Sequence, residues 1–548
     1  MENKFLKGAA ILSISMLLTK ILGIVYILPF QRLVGESGMA LYSYAYVPYS
    51  IFINLSTLGI PVGMAKFISK YNALGEYDTS RKIFRDSTIV MFILGAVGFF
   101  ALRFISPWYA NYILAGEQEL SNSIEDVTMA IRTISYALLI IPALSIFRGF
   151  FQGNQDMVPT SVSQFLEQLV RVIFILAGSY FIISKGGSIE EAVSFSVFSA
   201  FISGLVALLI LYFYWYKNKT HFDNLLKQTK PHKSHTSREL FTELISYAIP
   251  FAILGLATNS FQLVDTMTFN QNMIHGAGVD KVLSEQIFGI YGGTLNKIIM
   301  IPVSFAVAFG QPLVPELMKN HTSGNKKEVQ RYLILAIQLT CFITFPAIIG
   351  MSLLAHPIYM FFGASSLELQ LIGGQIFQIG AFLGLFMALY SIMTSILQGI
   401  GKQLYGILFL GIALVIKYIG NNLFIPTLGV NGAILATVLS YIFCIIFSLI
   451  VIQKQTGFKL KPLLSQILKI TTITAVMGIA VFMLKMLLDL FFDFSASYLN
   501  AFLYVGLLGI FGASLYFFLA NKSGLLETLF EKKISIKSLS SHFQRKNK

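Results

Sequence analysis

Lys20, Arg171, Lys297 and Lys417 each stand near the middle of a run of roughly twenty apolar residues, the length of a bilayer-spanning helix. A cation at that depth costs about 2.5–3.5 kcal/mol on insertion scales, so it must face a partner or a polar cavity. Other polar residues keep helical spacing around them. Gln164, Glu167, Gln168 and Arg171 follow the i, i+3, i+4, i+7 pattern of one helical face. Tyr46, Ser50, Asn54 and Thr57 form a similar stripe, and Asn259, Gln262 and Asp265 form another. Thr294 precedes Lys297, and Asn421 follows Lys417 by one turn. Glu167 and Arg171 are spaced to pair with each other, and Asp265 has Lys297 and Lys417 as candidate partners. Four deep cations against Glu167 and Asp265 leave an excess of positive charge, so the missing partner is an anion. A pyrophosphate suits guanidinium and ammonium groups in a low-dielectric cavity. Lys66, Arg103, Arg132, Arg148, Lys469 and Lys485 lie toward span ends, where long basic side chains snorkel to the interface.

The elements that hold these residues are membrane helices. The chain has 548 residues, 55% hydrophobic and only 12% charged, more apolar surface than a soluble core of this length uses. Fourteen apolar segments are expected to span, at about 7–30, 40–67, 83–106, 128–152, 158–183, 191–215, 240–272, 284–316, 329–354, 367–398, 403–426, 430–453, 463–490 and 496–520. The first is read as a retained helix, because it is long, carries Lys20 and is followed by no small-residue cleavage site. Cys341 and Cys444 fall inside spans and read as packed thiols. Basic residues concentrate in alternate connecting segments, which puts both termini on the cytoplasmic side of a bacterial plasma membrane. The net charge of +14 is therefore a topology signal, with attraction to anionic headgroups as a by-product, and points to no nucleic acid.

The long polar interruption at 216–239 contains Pro231, His221, His232 and His235, and reads as a solvated connector with no metal site. On either side of it lies a faint repeat. Gln152-Gly153 matches Gln398-Gly399, and Arg171 matches Lys417 at the same offset. Ile60-Pro61-Val62 matches Ile301-Pro302-Val303, each followed by a polar loop, Gly75 to Lys82 and Gly324 to Arg331. The expected fold is all-α and integral to the membrane, with about fourteen transmembrane helices in two pseudo-symmetric six-helix lobes plus helices 13 and 14. The expected divisions are an N-terminal lobe at 1–216, a basic cytoplasmic linker at 217–239, a C-terminal lobe at 240–455, helices 13 and 14 at 456–522 and a basic cytoplasmic tail at 523–548. An even number of spans per repeat relates the lobes by an axis along the membrane normal, with substrate between them.

With these features the chain resembles the multidrug/oligosaccharidyl-lipid/polysaccharide exporter superfamily, on its fourteen spans, its Gly-Ile-Pro-Val run at 59–62 and its loops after helices 2 and 8. Ser15-Met16-Leu17-Leu18-Thr19-Lys20-Ile21-Leu22-Gly23 and Val34-Gly35-Glu36-Ser37-Gly38-Met39-Ala40 are similar to the first-helix region of MurJ-type lipid II flippases, in the Firmicute branch that includes stage V sporulation protein B-like proteins. The resemblance implies alternating access without ATP hydrolysis. It also implies a cargo of undecaprenyl-pyrophosphate-linked disaccharide-pentapeptide, moved from inner to outer leaflet for peptidoglycan synthesis. Family members place basic residues on helices 1, 2 and 8 against the pyrophosphate; Lys20 matches the first and Lys297 is the candidate for the third. The second helix departs, offering Asn54 where a cation is expected, so Arg171, Lys417 and Glu167 complete the expected substrate-binding set. In the family, helices 13 and 14 form a groove for the lipid tail.

Superfamily transporters couple to Na⁺, H⁺ or membrane potential, and a cation site on helices 7, 11 and 12 would here use Asp265, Asn421 and Thr437. Lys417 intrudes on that site, so its ammonium is expected to stand where a metal cation would bind, and no cofactor or metal is expected. The expected partners are the lipid-linked glycan, membrane lipids and cell-wall synthesis proteins, and the expected state is a monomer. Three alternatives stand beside this reading: a flippase for another lipid-linked polysaccharide repeat, a multidrug cation antiporter using Glu167 and Asp265, and a membrane glycosyltransferase using Glu117 and Glu119. An ATP-driven pump lacks its phosphate loop, since Gly399-Ile400-Gly401-Lys402 does not have the required spacing.

Overall fold

The computed structural model describes residues 15, 18–19, 22–23, 25–57, 60–114, 120–231, 235–310, 313–363 and 366–530; Lys20, Glu117, Glu119, His232 and the basic tail lie outside them. The described residues are helical throughout, with short connections and no strand. We number the helices α1 Ile27–Thr57, α2 Ile60–Leu74, α3 Tyr77–Ile113, α4 Ile124–Ser135, α5 Ile141–Gly153, α6 Val158–Ser184, α7 Ile189–Lys217, α8 Lys219–Leu226, α9 Ser237–Gly255, α10 Ala257–Gln271 and α11 Lys281–Phe288. The numbering continues with α12 Asn296–Gly310, α13 Leu313–Thr322, α14 Lys326–Leu353, α15 Ala355–Phe362, α16 Leu367–Gly380, α17 Leu383–Gly399, α18 Gln403–Leu428, α19 Val430–Thr456, α20 Leu460–Leu488, α21 Tyr498–Lys522 and α22 Leu525–Phe530.

Among the described residues, 11 segments are long and apolar enough to cross a membrane, and each coincides with an expected span. The other three expected spans differ in detail. Most of 7–30 lies outside the described residues. The end of that segment and the start of the second run together as α1, which kinks at Gly35 where φ is 65°. Segment 240–272 divides into α9 and α10, because Leu256 bonds back to Ile253 O and interrupts the helical ladder.

The chain forms two compact units, Met1–Thr294 with Leu414–Ala436, and Leu295–Ala413 with Thr437–Lys548. In the first, α2 crosses α5 so closely that a Cβ at Gly149 would lie 2.7 Å from Pro61 O and one at Gly153 would lie 2.8 Å from Ala65 O. Lipid is as apolar as any side chain, so helix association rests on this backbone approach and on interdigitated rings. Met64, Phe84, Phe150 and Phe151 fill the space around the crossing. On the far side of the unit, α6 packs along α7, with Phe174 stacked on Phe195 at 4.6 Å and the hydroxyls of Ser179 and Ser196 2.6 Å apart.

The segment expected as a solvated linker is docked. It contains α8, which buries Phe222 against the core around α2 and α5. Arg81 pairs with Asp223 at 3.3 Å, Lys230 N–H bonds to Gly75 O at 3.0 Å, and Lys82 Nζ donates to His235 O at 2.6 Å. Composition alone hid this, because the anchors are single residues scattered through a polar stretch.

In the second unit, α14 is the central helix, packed against α12, α17 and α20. Its core includes Leu333, Phe342, Ile396 and Tyr516, with Tyr516 OH donating to Phe342 O at 3.0 Å. Cys341 and Cys444 are both buried and free, as their place in apolar spans leads one to expect. Two apolar cavities flank α20 in this unit. One, of about 530 Å³, lies against Phe345, Ile349, Phe382 and Ile479, and the other, of about 400 Å³, lies among Phe342, Leu354, Met477, Leu508 and Tyr516.

Candidate functional site

Two buried ionic groups stand out in the first unit. The helical spacing on α6 does place Glu167 and Arg171 together, with Arg171 Nη2 donating to Glu167 Oε1 at 2.8 Å. The second carboxylate oxygen is occupied as well: Arg148 Nη2 on α5 donates to Glu167 Oε2 at 2.6 Å. Arg148 is therefore no snorkelling interface residue. The close α2–α5 crossing orients α5 toward α6, a tertiary consequence invisible in its local sequence.

Each guanidinium is anchored from behind. Arg148 Nε donates to Ser163 Oγ at 3.4 Å and Arg171 Nε to Ser203 Oγ at 3.3 Å. Both Nη1 groups remain without a described partner, although the side chains are only 16% and 21% exposed. A carboxylate shared by two guanidiniums leaves the group with a net positive charge, as the sequence arithmetic required, but from a different set of residues. Charge-assisted bonds of this kind are the strong ones, and an Arg fork matches carboxylate and phosphate oxygens alike.

An aromatic wall adjoins the clamp. The phenols of Tyr42, Tyr46 and Tyr49 on α1 stand within electrostatic reach of Arg171. Tyr42 stacks on Tyr46 at 5.6 Å, and Tyr46 is 37% exposed. Asn54 lies two turns further along the same helix and is half-buried. At Gly23, on the first expected span, a Cβ would lie 3.2 Å from Gln168 Nε2, so Gly23 itself lies against α6.

The second group is built on α10 and α18. Lys417 Nζ lies 2.5 Å from Asp265 Oδ1 and donates to Ala433 O at 3.0 Å. Asn421 Nδ2 donates to Asp265 Oδ1 at 3.0 Å and to Thr268 Oγ1 at 2.8 Å, and Tyr291 OH donates to Asp265 Oδ2 at 2.9 Å. Of the two partners expected for Asp265, the structure selects Lys417. Fully buried and neutralised, Lys417 is corrected from a substrate ligand to an internal ion pair. Thr437, one turn beyond Ala433, is buried and belongs to the other compact unit. Lys297 also lies in that unit, half-buried on α12.

A third polar cluster was missed from sequence. Glu285 on α11 is fully buried and accepts from Asn122 N–H at 3.1 Å and Asn122 Nδ2 at 2.8 Å. Asn122 Nδ2 also reaches Ser37 O at 3.0 Å. Just beyond, a Cβ at Gly289 would lie 2.0 Å from Glu36 O, so α1 and the π-helical turn Gly289–Leu295 touch backbone to backbone. Glu285 sits at the edge of an expected span, where a carboxylate ordinarily reads as solvated. Among the described residues no group of His, Cys, Asp and Glu is arranged to hold a metal ion.

The comparisons with known proteins agree with this architecture. The family model described as polysaccharide biosynthesis protein matches residues 5–321. The chain is 35% identical to the lipid II flippase MurJ of Bacillus subtilis (strain 168), over 97% of its own length and 98% of the relative's. Among solved structures it resembles lipid II flippase MurJ in an inward closed conformation, with a TM-score of 0.65 at 17% identity, covering 95% of this chain and 99% of that one. An inward-facing multidrug resistance MATE family transporter of the MOP superfamily gives 0.64 at 14% identity, covering 82% of this chain and 99% of that one. These two likenesses establish a shared fold. The chain belongs to the polysaccharide biosynthesis protein family, and its full-length match places it on the MurJ branch of that family.

Proposed function

We propose that this protein flips a polyprenyl-pyrophosphate-linked cell-wall precursor, lipid II in the first place, from the inner to the outer leaflet by alternating access. The observation that carries the reading is the Arg148–Glu167–Arg171 clamp, a net positive and largely dehydrated group. A multidrug cation carrier needs the opposite excess. The similarity to MurJ over nearly the whole chain supports lipid II as the cargo. Tyr46 is offered to the glycan, Asn54 and Lys20 join the proposed set beside it, and Lys297 is proposed separately as a cation of the second unit that meets the cargo. The cavities beside α20 are apolar and suit part of a polyprenyl tail.

The protein acts as a secondary transporter and hydrolyses no ATP. It sits in the bacterial plasma membrane with both termini cytoplasmic, as a monomer, and meets cell-wall synthesis proteins through the cargo they share. The Lys417 ammonium takes the place of a coupling metal ion at Asp265 and Asn421, so membrane potential or protons reset the cycle. A host depleted of its own lipid II flippase and expressing this chain should regain growth and outer-leaflet lipid II. Failure despite good membrane expression would reject lipid II as cargo, and rescue of a polysaccharide-repeat flippase instead would identify the alternative lipid-linked glycan.

A further inference from the structure

The clamp has an unusual stoichiometry for a structural ion pair. One carboxylate is held by two guanidiniums, each fixed by a serine at Nε, and among the described residues neither Nη1 has a bonding partner. A purely structural role for Glu167 needs only Arg171, four residues away on its own helix. Arg148 brings a second buried cation from another helix, and a buried charge in excess is costly unless something neutralises it. A lipid-linked diphosphate diester carries one negative charge on each phosphorus, matching the two guanidiniums when Glu167 is not between them.

We infer that Glu167 is an internal stand-in for the cargo's anion: its carboxylate bridges Arg148 and Arg171 in the empty protein, and the diphosphate displaces it. The inference rests on the proposed function for the identity of the anion. The stand-in keeps the two cations neutral enough to remain in place between cargoes. It also competes with bound diphosphate, which lowers affinity and hastens release. The same exchange gives selectivity for two phosphoryl units over one, because a single phosphodiester carries no more charge than the carboxylate it must displace.

The test measures binding to the purified full chain with two probes, a short-chain polyprenyl diphospho-N-acetylglucosamine and its monophospho counterpart. Glu167→Gln keeps the side-chain volume and removes the competing charge. It should bind the diphosphate probe about tenfold tighter or more, the scale of one nearby charge on a buried equilibrium, while rescuing growth less well because release slows. Binding that is unchanged or weaker in a protein that melts like the parent would overturn the inference. Arg148→Gln is the second arm, and it should bring diphosphate affinity down to the monophosphate level; an unchanged preference would also overturn it. Binding needs no flipping, so the two ideas fail separately. Tighter binding by Glu167→Gln without lipid II rescue by the parent retires the cargo and keeps the stand-in, whereas parental rescue without tighter binding retires the stand-in alone.

Discussion

Lys417 Nζ and Asp265 Oδ1 lie 2.5 Å apart with the lysine side chain wholly excluded from solvent and the aspartate 5% exposed. The ammonium also reaches Ala433 O, and the carboxylate takes further bonds from Asn421 and Tyr291, so both charges are satisfied inside the protein. Removing one partner of such a pair leaves an uncompensated buried charge and costs about 3–5 kcal/mol. Lys417→Gln should therefore lower the melting temperature sharply, and Lys417→Gln combined with Asp265→Asn should recover much of the loss. Independent, additive losses in the double-mutant cycle would show that the two charges do not depend on each other.

The same pair predicts the ion requirement. Flipping by the parent in proteoliposomes should be equally fast in Na⁺ and K⁺ media at the same membrane potential. Shortening the cation with Lys417→Asn vacates its position beside Asp265, and that variant should gain stability on adding Na⁺. A strong Na⁺ requirement in the parent would contradict the substitution of ammonium for metal.

The cations differ in what their loss should do. Arg171→Ala and Lys297→Ala should abolish rescue of a flippase-depleted host, since the first opens the clamp and the second removes the cation proposed to meet the cargo in the second unit. Lys485→Ala should leave rescue intact, because Lys485 pairs locally with Asp489 at 3.2 Å, four residues on and partly in solvent. Immunoblotting of membranes separates loss of function from loss of protein.

At Gly289 the backbones of the π turn and α1 leave no room for a methyl group, with Glu36 O 2.0 Å from the position a Cβ would take. Gly289→Ala should force the two apart and strain the Glu285–Asn122 bonds one turn earlier. Overpacking of this kind costs about 1–3 kcal/mol. The readout is faster reaction of a Ser121→Cys thiol with a polar maleimide, measured against the same cysteine in the parent; equal rates would mean that the contact yields at no cost.

His356, on the short helix α15 outside the expected spans, is held below its usual range by burial and then by the positive charge of Lys485. An unfolded histidine titrates near about 6.5. With the folded value lower, the unfolded chain binds the extra proton first, so stability is full above that pH and is lost as pH falls through the window below it. Melting temperature should fall on acidification from about pH 7 to pH 5, and His356→Gln should flatten that slope. An identical slope in the variant would place the acid sensitivity elsewhere.

Much of this was legible in the chain. The run lengths picked out the 11 described segments long and apolar enough to cross a membrane, because a hydrocarbon core admits only helices of sufficient apolar length. The spacing of Glu167 and Arg171 gave their ion pair, and the spacing of Lys417 and Asn421 put both on the face that meets Asp265. Local periodicity carries such information because residues three and four apart share a helix face whatever the helix packs against.

What remained was decided by tertiary contact. Arg148 looked like an interface residue until the α2–α5 crossing at Gly149 and Gly153 aimed it at Glu167. Asp265 had two candidate cations until packing paired it with Lys417, and the partner of Glu285, Asn122, lies in the loop before α4, far away in sequence. A sequence states how many charges lie in the membrane and which helix faces carry them. Which charges neutralise one another, and which stay open to a ligand, depends on distances between helices that only packing sets.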